Sequence, residues 1–214
     1  MVNIRDQFRI EKVNFPKLSE TYIISLVAVG VALNVVLSAV RIMLQLPLFL
    51  DQGGMMLVSM LAGPWWGIVT AILSNVVRGL LINPQSLIPV TWLTPITTAL
   101  VWGFGTKYSM TRSWPKYAIL LVVLAFCLSA VTSTWVVYLF GGVTGGGGAD
   151  LLFAILYKAW GERLPARFWA EFPTSIVDKV ILSIIVLSIV RAIPNPEVQK
   201  LTPWYKGKVE SKKE

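Results

Sequence analysis

YAILLVVLAFCLSAVTSTWVVYLF, residues 117–140, carries no charged side chain across twenty-four positions. A helix rises about 1.5 Å per residue and a bilayer core is about 30 Å thick, so this stretch is long enough to cross a membrane. Residues 21–40 form a second uncharged stretch, twenty residues long. It follows a polar segment of mixed charge and has no small-residue cleavage site, which argues against a removable signal peptide. Over the 214-residue chain 55% of residues are hydrophobic and only 14% are charged, whereas soluble domains carry about 25% charged residues. These observations predict an all-α membrane protein. Cys127 lies inside the longer stretch and reads as a small apolar packing residue. The chain contains no His, which excludes His-based metal sites and His acid–base catalysis.

The remaining apolar blocks bring the expected number of short transmembrane helices to six. The first covers about 22–40. The uncharged block 52–77 is too long for one helix, and Gly63-Pro64-Trp65-Trp66-Gly67 in its middle supplies a stop, a start and a tight turn. That predicts a short second span at 53–62 and a third at 65–81. Asn83-Pro84 breaks the chain again. A fourth span is expected over 87–106, bent by Pro89 and Pro95. The fifth covers 117–140 and runs into a glycine-rich segment, residues 141–148, too flexible for helix. Residues 151–160 read as a short amphipathic or re-entrant helix, and the sixth span covers 172–190.

Lys and Arg set the expected orientation. The N-terminal segment (Arg5, Arg9, Lys12, Lys17), the loop carrying Lys107, Arg112 and Lys116, and the C-terminal segment (Arg191, Lys200, Lys206, Lys208, Lys212, Lys213) together hold thirteen of the nineteen basic residues. Six spans place all three on one side, which the positive-inside rule makes cytoplasmic. The net charge of +8 is then a membrane-flank property and does not call for nucleic acid. The expected organisation is a cytoplasmic segment over residues 1–20, a six-helix transmembrane domain over 21–191 and a basic cytoplasmic tail over 192–214, too short for an output domain.

Charges beside or within spans are costly in lipid and mark candidate sites. Arg41, Asp51 and Arg78 fall at the outer side, and Asp178 and Lys179 lie in the outer half of the sixth span. Adjacent helical residues point about 100° apart, so separate partners are expected for these two. The structural alternative pairs Arg78 with Asp178 and lets Lys179 snorkel to the interface. Trp65, Trp66, Trp102 and Trp114 fit an aromatic belt at the cytoplasmic interface. Trp92, Trp135 and Tyr138, toward the outer ends of spans four and five, fit either stacking on a planar ligand or anchoring at the opposite interface. In Ala28-Val29-Gly30-Val31-Ala32, small residues four apart form a smooth helix face, which also suits ordinary packing. Neither a phosphate-binding loop nor a nucleophile with an oriented base is present in the pattern.

Read in order, Leu46-Pro47-Leu48-Phe49-Leu50-Asp51, Gly63-Pro64-Trp65-Trp66-Gly67, Phe140-Gly141-Gly142-Val143-Thr144-Gly145 and Asp178-Lys179 resemble the substrate-binding S components of energy-coupling factor (ECF) transporters, the prokaryotic ABC systems for vitamin uptake. The likeness covers nearly the whole chain. It departs at Asp51-Gln52-Gly53-Gly54, where many relatives have Asp-x-x-Gly-Thr. The resemblance implies a compact bundle of six short helices in the cytoplasmic membrane, with both termini inside. It implies an outer ligand pocket formed here by Arg41, Gln45, Asp51, Arg78, Trp92, Trp135, Tyr138, Thr144 and Asp178. It also implies that Ala28 and Ala32 dock on a transmembrane coupling subunit driven by two cytoplasmic ATPases.

The expected function is therefore capture of a vitamin or related micronutrient at the outer face, without cofactor, bound metal or enzymatic activity of its own. Aromatic residues with Arg41 and Arg78 would suit a flat heterocycle bearing a polar or anionic group. A ligand-sensing membrane module and a stand-alone secondary carrier are the alternatives. The carrier would need an ion-coupling site, for which Asp178 is the candidate.

Overall fold

The computed structural model describes residues 12–16, 18–44, 48–145 and 148–204. Among them the chain is helical, with no β-strand. Helix α1 spans Glu20–Met43, α2 Gly53–Ala62, α3 Pro64–Leu81, α4 Leu93–Lys107, α5 Trp114–Phe140, α6 Gly148–Trp160, α7 Arg163–Ala192 and the single-turn α8 Pro196–Gln199. Three of them, α1, α5 and α7, are long and apolar enough to cross a membrane.

Helix starts and stops follow the local chemistry. Ser19 caps α1 by accepting from Tyr22 N, satisfying one of the otherwise orphaned first-turn donors. Gly63 ends α2 at φ 98°, a conformation that side chains resist, and Pro64 opens α3, where its missing N–H costs nothing. The two prolines assigned to a fourth span act differently from that expectation. Pro89 opens a 3₁₀ turn (Pro89–Trp92), which follows another over Pro84–Leu87, and Pro95 sits in the first turn of α4. The span is thus a 15-residue helix preceded by two tight turns, not a bent longer helix. Conversely α7 is longer than its expected 172–190. It begins at Arg163 and continues through Pro173.

Helix α1 is packed inside-out relative to a soluble bundle. Its buried residues are Val27, Gly30, Asn34 and Ser38, while Ile24, Val29 and Val36 are exposed. Small and polar groups facing the bundle, with branched apolar groups outside, is a pattern of helices packed in lipid. Helix α5 is apolar on both faces: Ile119, Val122, Val123 and Phe126 face outward, while Leu120, Leu121, Leu124 and Leu128 are buried. The ten-residue α2 is the exception, since every residue but Ala62 is buried. It rises only about 15 Å and is wrapped by α1, α3, α4 and α7.

Close crossings hold α2 in place. A Cβ on Gly54 would lie 1.9 Å from the Gly30 carbonyl oxygen, and one on Gly67 1.7 Å from Ser59 Oγ. Asn34 pins three helices together: its Nδ2 donates to Ser74 Oγ on α3 (2.9 Å), and its Oδ1 accepts from Gly54 N on α2 (2.7 Å). The main core, from Met56, Met60, Leu120, Leu124 and Leu182 to Val190, fills the end of the bundle where α2 stops and α5 begins. Both chain-terminal segments close that end. Val13 N donates to Lys107 O (2.7 Å), and Val198 and Leu201 enter the core. Trp102, assigned to an interfacial belt, is instead fully buried there and packs edge-on to Tyr117.

Candidate functional site

The other end of the bundle is hollow. A cavity of about 940 Å³ lies between the end of α1, the start of α2, the end of α3, the two 3₁₀ turns, the start of α4, the C-terminal half of α5 and the first half of α7. Its size is at the upper end for small-molecule sites.

One wall is charged by residues from two helices and the turn before α2. Arg78, on the last turn of α3, pairs with the Asp51 carboxylate and donates from Nη2 to Ser86 Oγ (3.1 Å). Arg41, on the last turn of α1, stands farther from the same carboxylate (3.9 Å) and lies over the Phe49 ring, 5.0 Å from its centroid. Burial alone would raise the Asp51 pKa. The charges of Arg78, Arg41 and Lys179 outweigh it and hold this carboxyl below its ordinary value. Ser86 is itself anchored, because Trp92 Nε1 donates to its carbonyl (2.7 Å).

The floor and aromatic side are built by α4 and α5. Thr98 Oγ1 donates to Gln52 Oε1 (2.6 Å), and the Thr94 and Thr132 hydroxyls share a hydrogen bond (2.9 Å). Trp135 Nε1 donates to Thr94 Oγ1 (3.1 Å), and its ring meets Phe140 edge-to-face at 5.8 Å. The indole is therefore held in place at the cavity wall.

The third side is α7 with the segment leading to α6. Arg167, fully buried, donates to Glu171 Oε2 (2.8 Å), Asp150 Oδ1 (2.5 Å) and the Gly142 carbonyl (3.2 Å). Asp150 in turn accepts from Thr144 N (3.1 Å), Gly145 N (2.8 Å) and the Thr144 hydroxyl. Gly142, at φ 108°, packs so closely on Phe153 that a Cβ would come within 2.2 Å of the ring. Residues 142–145 are thereby fastened over the cavity by one guanidinium. Two turns beyond Glu171 on α7, Asp178 and Lys179 pair with each other, 1% and 2% exposed.

Of the residues expected to bind ligand, Arg41, Asp51, Arg78, Trp135, Thr144 and Asp178 line this one cavity. Trp92 stands behind Ser86 and acts through it. Tyr138 is 76% exposed and is not part of the lining. Gln45 lies outside the described residues. Ala28 and Ala32 lie on the exposed face of α1.

Three expectations about the charges are corrected. Asp178 and Lys179 do not take separate partners, since the four-carbon lysine stem spans the angle between adjacent helix positions. Arg78 pairs with Asp51, not Asp178. Lys179 is buried and does not snorkel. Arg167 and Glu171, which precede the expected sixth span, are buried lining residues, and their i,i+4 spacing on one helix was the available signal. Gln52 and Asn75 also line the cavity, and nothing in the local sequence marks them.

The arrangement provides paired charges, fixed hydroxyls and an aromatic wall around one cleft, which is equipment for binding. No cluster of three metal-ligating side chains occurs among the described residues. Comparison with family models, curated proteins and solved structures gives no match.

Proposed function

We propose that this protein is the substrate-capture subunit of an ECF-type importer in a prokaryotic cytoplasmic membrane. In this reading it binds a vitamin or related micronutrient in the cavity and docks on a transmembrane coupling subunit with two ATPases. The observation that carries the proposal is the cavity itself, walled by Arg41, Asp51, Arg78, Trp135, Arg167 and Asp178 at one end of a small membrane bundle. The sequence motifs that resemble the S components fall around it: Phe49 to Asp51, Phe140 to Gly145, and Asp178-Lys179.

Two further features support the reading. Lys107, Arg112, Lys116 and Arg191 belong to the opposite end of the bundle, at the end of α4, the start of α5 and the end of α7. With six spans that end faces the cytoplasm and the cavity faces outside. The small-residue face of α1, with Ala28 and Ala32, is turned away from the bundle, where a partner helix could approach closely. In the six-span arrangement α2 is too short to reach across a bilayer alone, and its burial within the bundle removes the need to meet lipid.

Reconstitution tests the proposal. The chain is placed in liposomes with the coupling subunit and ATPases of its own organism, and ATP hydrolysis is compared with and without it. The importer reading expects hydrolysis that depends on the chain. Hydrolysis indifferent to the chain, with solute uptake driven by a proton gradient, would favour a stand-alone carrier.

A further inference from the structure

The cavity's unpaired atoms and charges specify what kind of molecule it accepts, on the reading that this cavity is the ligand site. Arg78 takes the Asp51 carboxylate as a close ion pair, leaving Arg41, among the described residues, with the edge of that interaction at 3.9 Å and the face of Phe49. Two guanidinium groups thus share one carboxylate at this wall. The opposite cluster has two carboxylates on Arg167, but Asp150 is also satisfied by the Thr144 and Gly145 N–H groups and the Thr144 hydroxyl. Asp178 and Lys179 balance each other. The site for an added negative charge is therefore beside Arg41, at the end of α1.

Three buried lining atoms have no hydrogen-bond partner among the described residues: Asn75 Nδ2, Arg167 Nε and Asp178 Oδ1. Asn75 is 3% exposed and Arg167 0%. Leaving such groups unpaired is unfavourable, so a ligand that pairs with them gains affinity. Two are donors and one is an acceptor. They call for a molecule with carbonyl-type acceptors and one N–H donor.

We infer that the cavity takes a small organic anion whose carboxylate or phosphate binds Arg41 and whose amide-like N–H and C=O edge is read by Asp178 and Asn75. A neutral relative of such a molecule keeps the edge contacts and loses the charge-assisted one. A cationic relative places a third positive charge beside Arg41 and Arg78. Charge-assisted hydrogen bonds contribute about 1.5–3 kcal/mol, which converts to roughly 10- to 100-fold in affinity.

The test uses one ring in three charge states. Orotate, uracil and aminomethyluracil share an N–H/C=O edge and differ in carrying a carboxylate, no charge or an ammonium. Benzoate supplies the carboxylate without the edge. Binding of each to the purified full chain in nanodiscs is measured calorimetrically up to about 10 mM, a range that captures even weak complexes. The expected order is orotate above uracil by at least about tenfold, with benzoate and aminomethyluracil weakest. Arg41→Gln should remove the preference for orotate over uracil and Arg41→Lys should retain part of it, with gel filtration confirming that both variants fold. Equal or tighter binding of uracil or the cationic probe, an orotate preference that survives Arg41→Gln, or no binding of any probe at about 10 mM would each overturn the inference. A chain that prefers uracil yet still stimulates its ATPases removes only this inference. One that binds orotate but never engages them removes only the importer reading.

Discussion

Replacing Gly54 by Ala asks whether the cavity depends on two helix backbones touching. The added methyl would lie 1.9 Å from the Gly30 carbonyl oxygen and 2.9 Å from Asn34 Oδ1. Neither neighbour can swing away, because one is backbone and the other is held by hydrogen bonds to Ser74 and Gly54. Restoring ordinary contact requires α1 and α2 to separate by more than about 1 Å, and forcing such overpacking costs about 1–3 kcal/mol. The same movement stretches the buried Gly54 N–Asn34 bond, worth about 1–3 kcal/mol when its partners are left unsatisfied. Together these give about 4 kcal/mol, or a fall of about 8–16 °C in apparent Tm for a chain of this length. Gly53→Ala is the matched control. Its methyl would meet only the flexible ends of Leu182 and Leu37 at 3.3 Å, and Ala gains up to about 1 kcal/mol of helix propensity over Gly. Thermal unfolding of both variants in the same detergent separates the effects. A Gly54→Ala protein within about 2 °C of wild type, or one no worse than Gly53→Ala, would refute the close crossing of α1 and α2.

The charged walls supply further expectations. Asp51→Asn leaves Arg78 and Arg41 facing each other without a counter-charge and should lower stability by about 3 kcal/mol. The double variant Asp51→Asn/Arg78→Gln should recover a large part of that loss in the same melting assay, as removing both partners leaves no uncompensated charge. Arg167→Gln strands Glu171 and weakens the tether on Asp150. Limited proteolysis should then cut residues 141–161 faster than in wild type, while α1 to α5 stay resistant. Equal cutting rates would mean that this guanidinium does not hold the segment down.

Much of the fold is legible from the chain because membrane helices declare themselves by length. Residues 21–40 and 117–140 need no tertiary information, and Gly63-Pro64 marks a helix junction by backbone chemistry alone. Residues 84–95 are harder. Proline signals that regular helix is interrupted, but not whether the result is a kink or a pair of 3₁₀ turns, since Pro suits the first turn of either kind of helix. The start of α7 was hidden for another reason. Arg163, Arg167 and Glu171 read as a polar loop by hydropathy, and only the folded structure shows Arg167 and Glu171 inside, neutralised by Asp150 and by one another.

The site was legible in part. Arg41, Asp51, Arg78 and Asp178 stand out because charge next to an apolar span is costly, and all four line the same cavity. Their pairing was not readable, since partner choice among several nearby charges is set by helix rotation. Tyr138 and Trp135 are three residues apart on α5. Yet Trp135 lines the cavity and Tyr138 faces outward, a difference of helical face that the aromatic pattern does not encode. Asn75 and Gln52 are ordinary polar residues in sequence and become informative only through burial.

The central claim is that this bundle docks on an ATP-driven coupling module through the outward face of α1. The most direct measurement is co-purification in detergent of the wild-type chain and of Ala28→Leu/Ala32→Leu with the coupling subunit and ATPases of the same organism. Two leucines on an exposed face leave the bundle core untouched, so both proteins should fold and melt alike. The account predicts that wild type carries the module through purification and that the double variant loses it. A stably folded wild type that never associates with the module, or a double variant that associates as well as wild type, would contradict it.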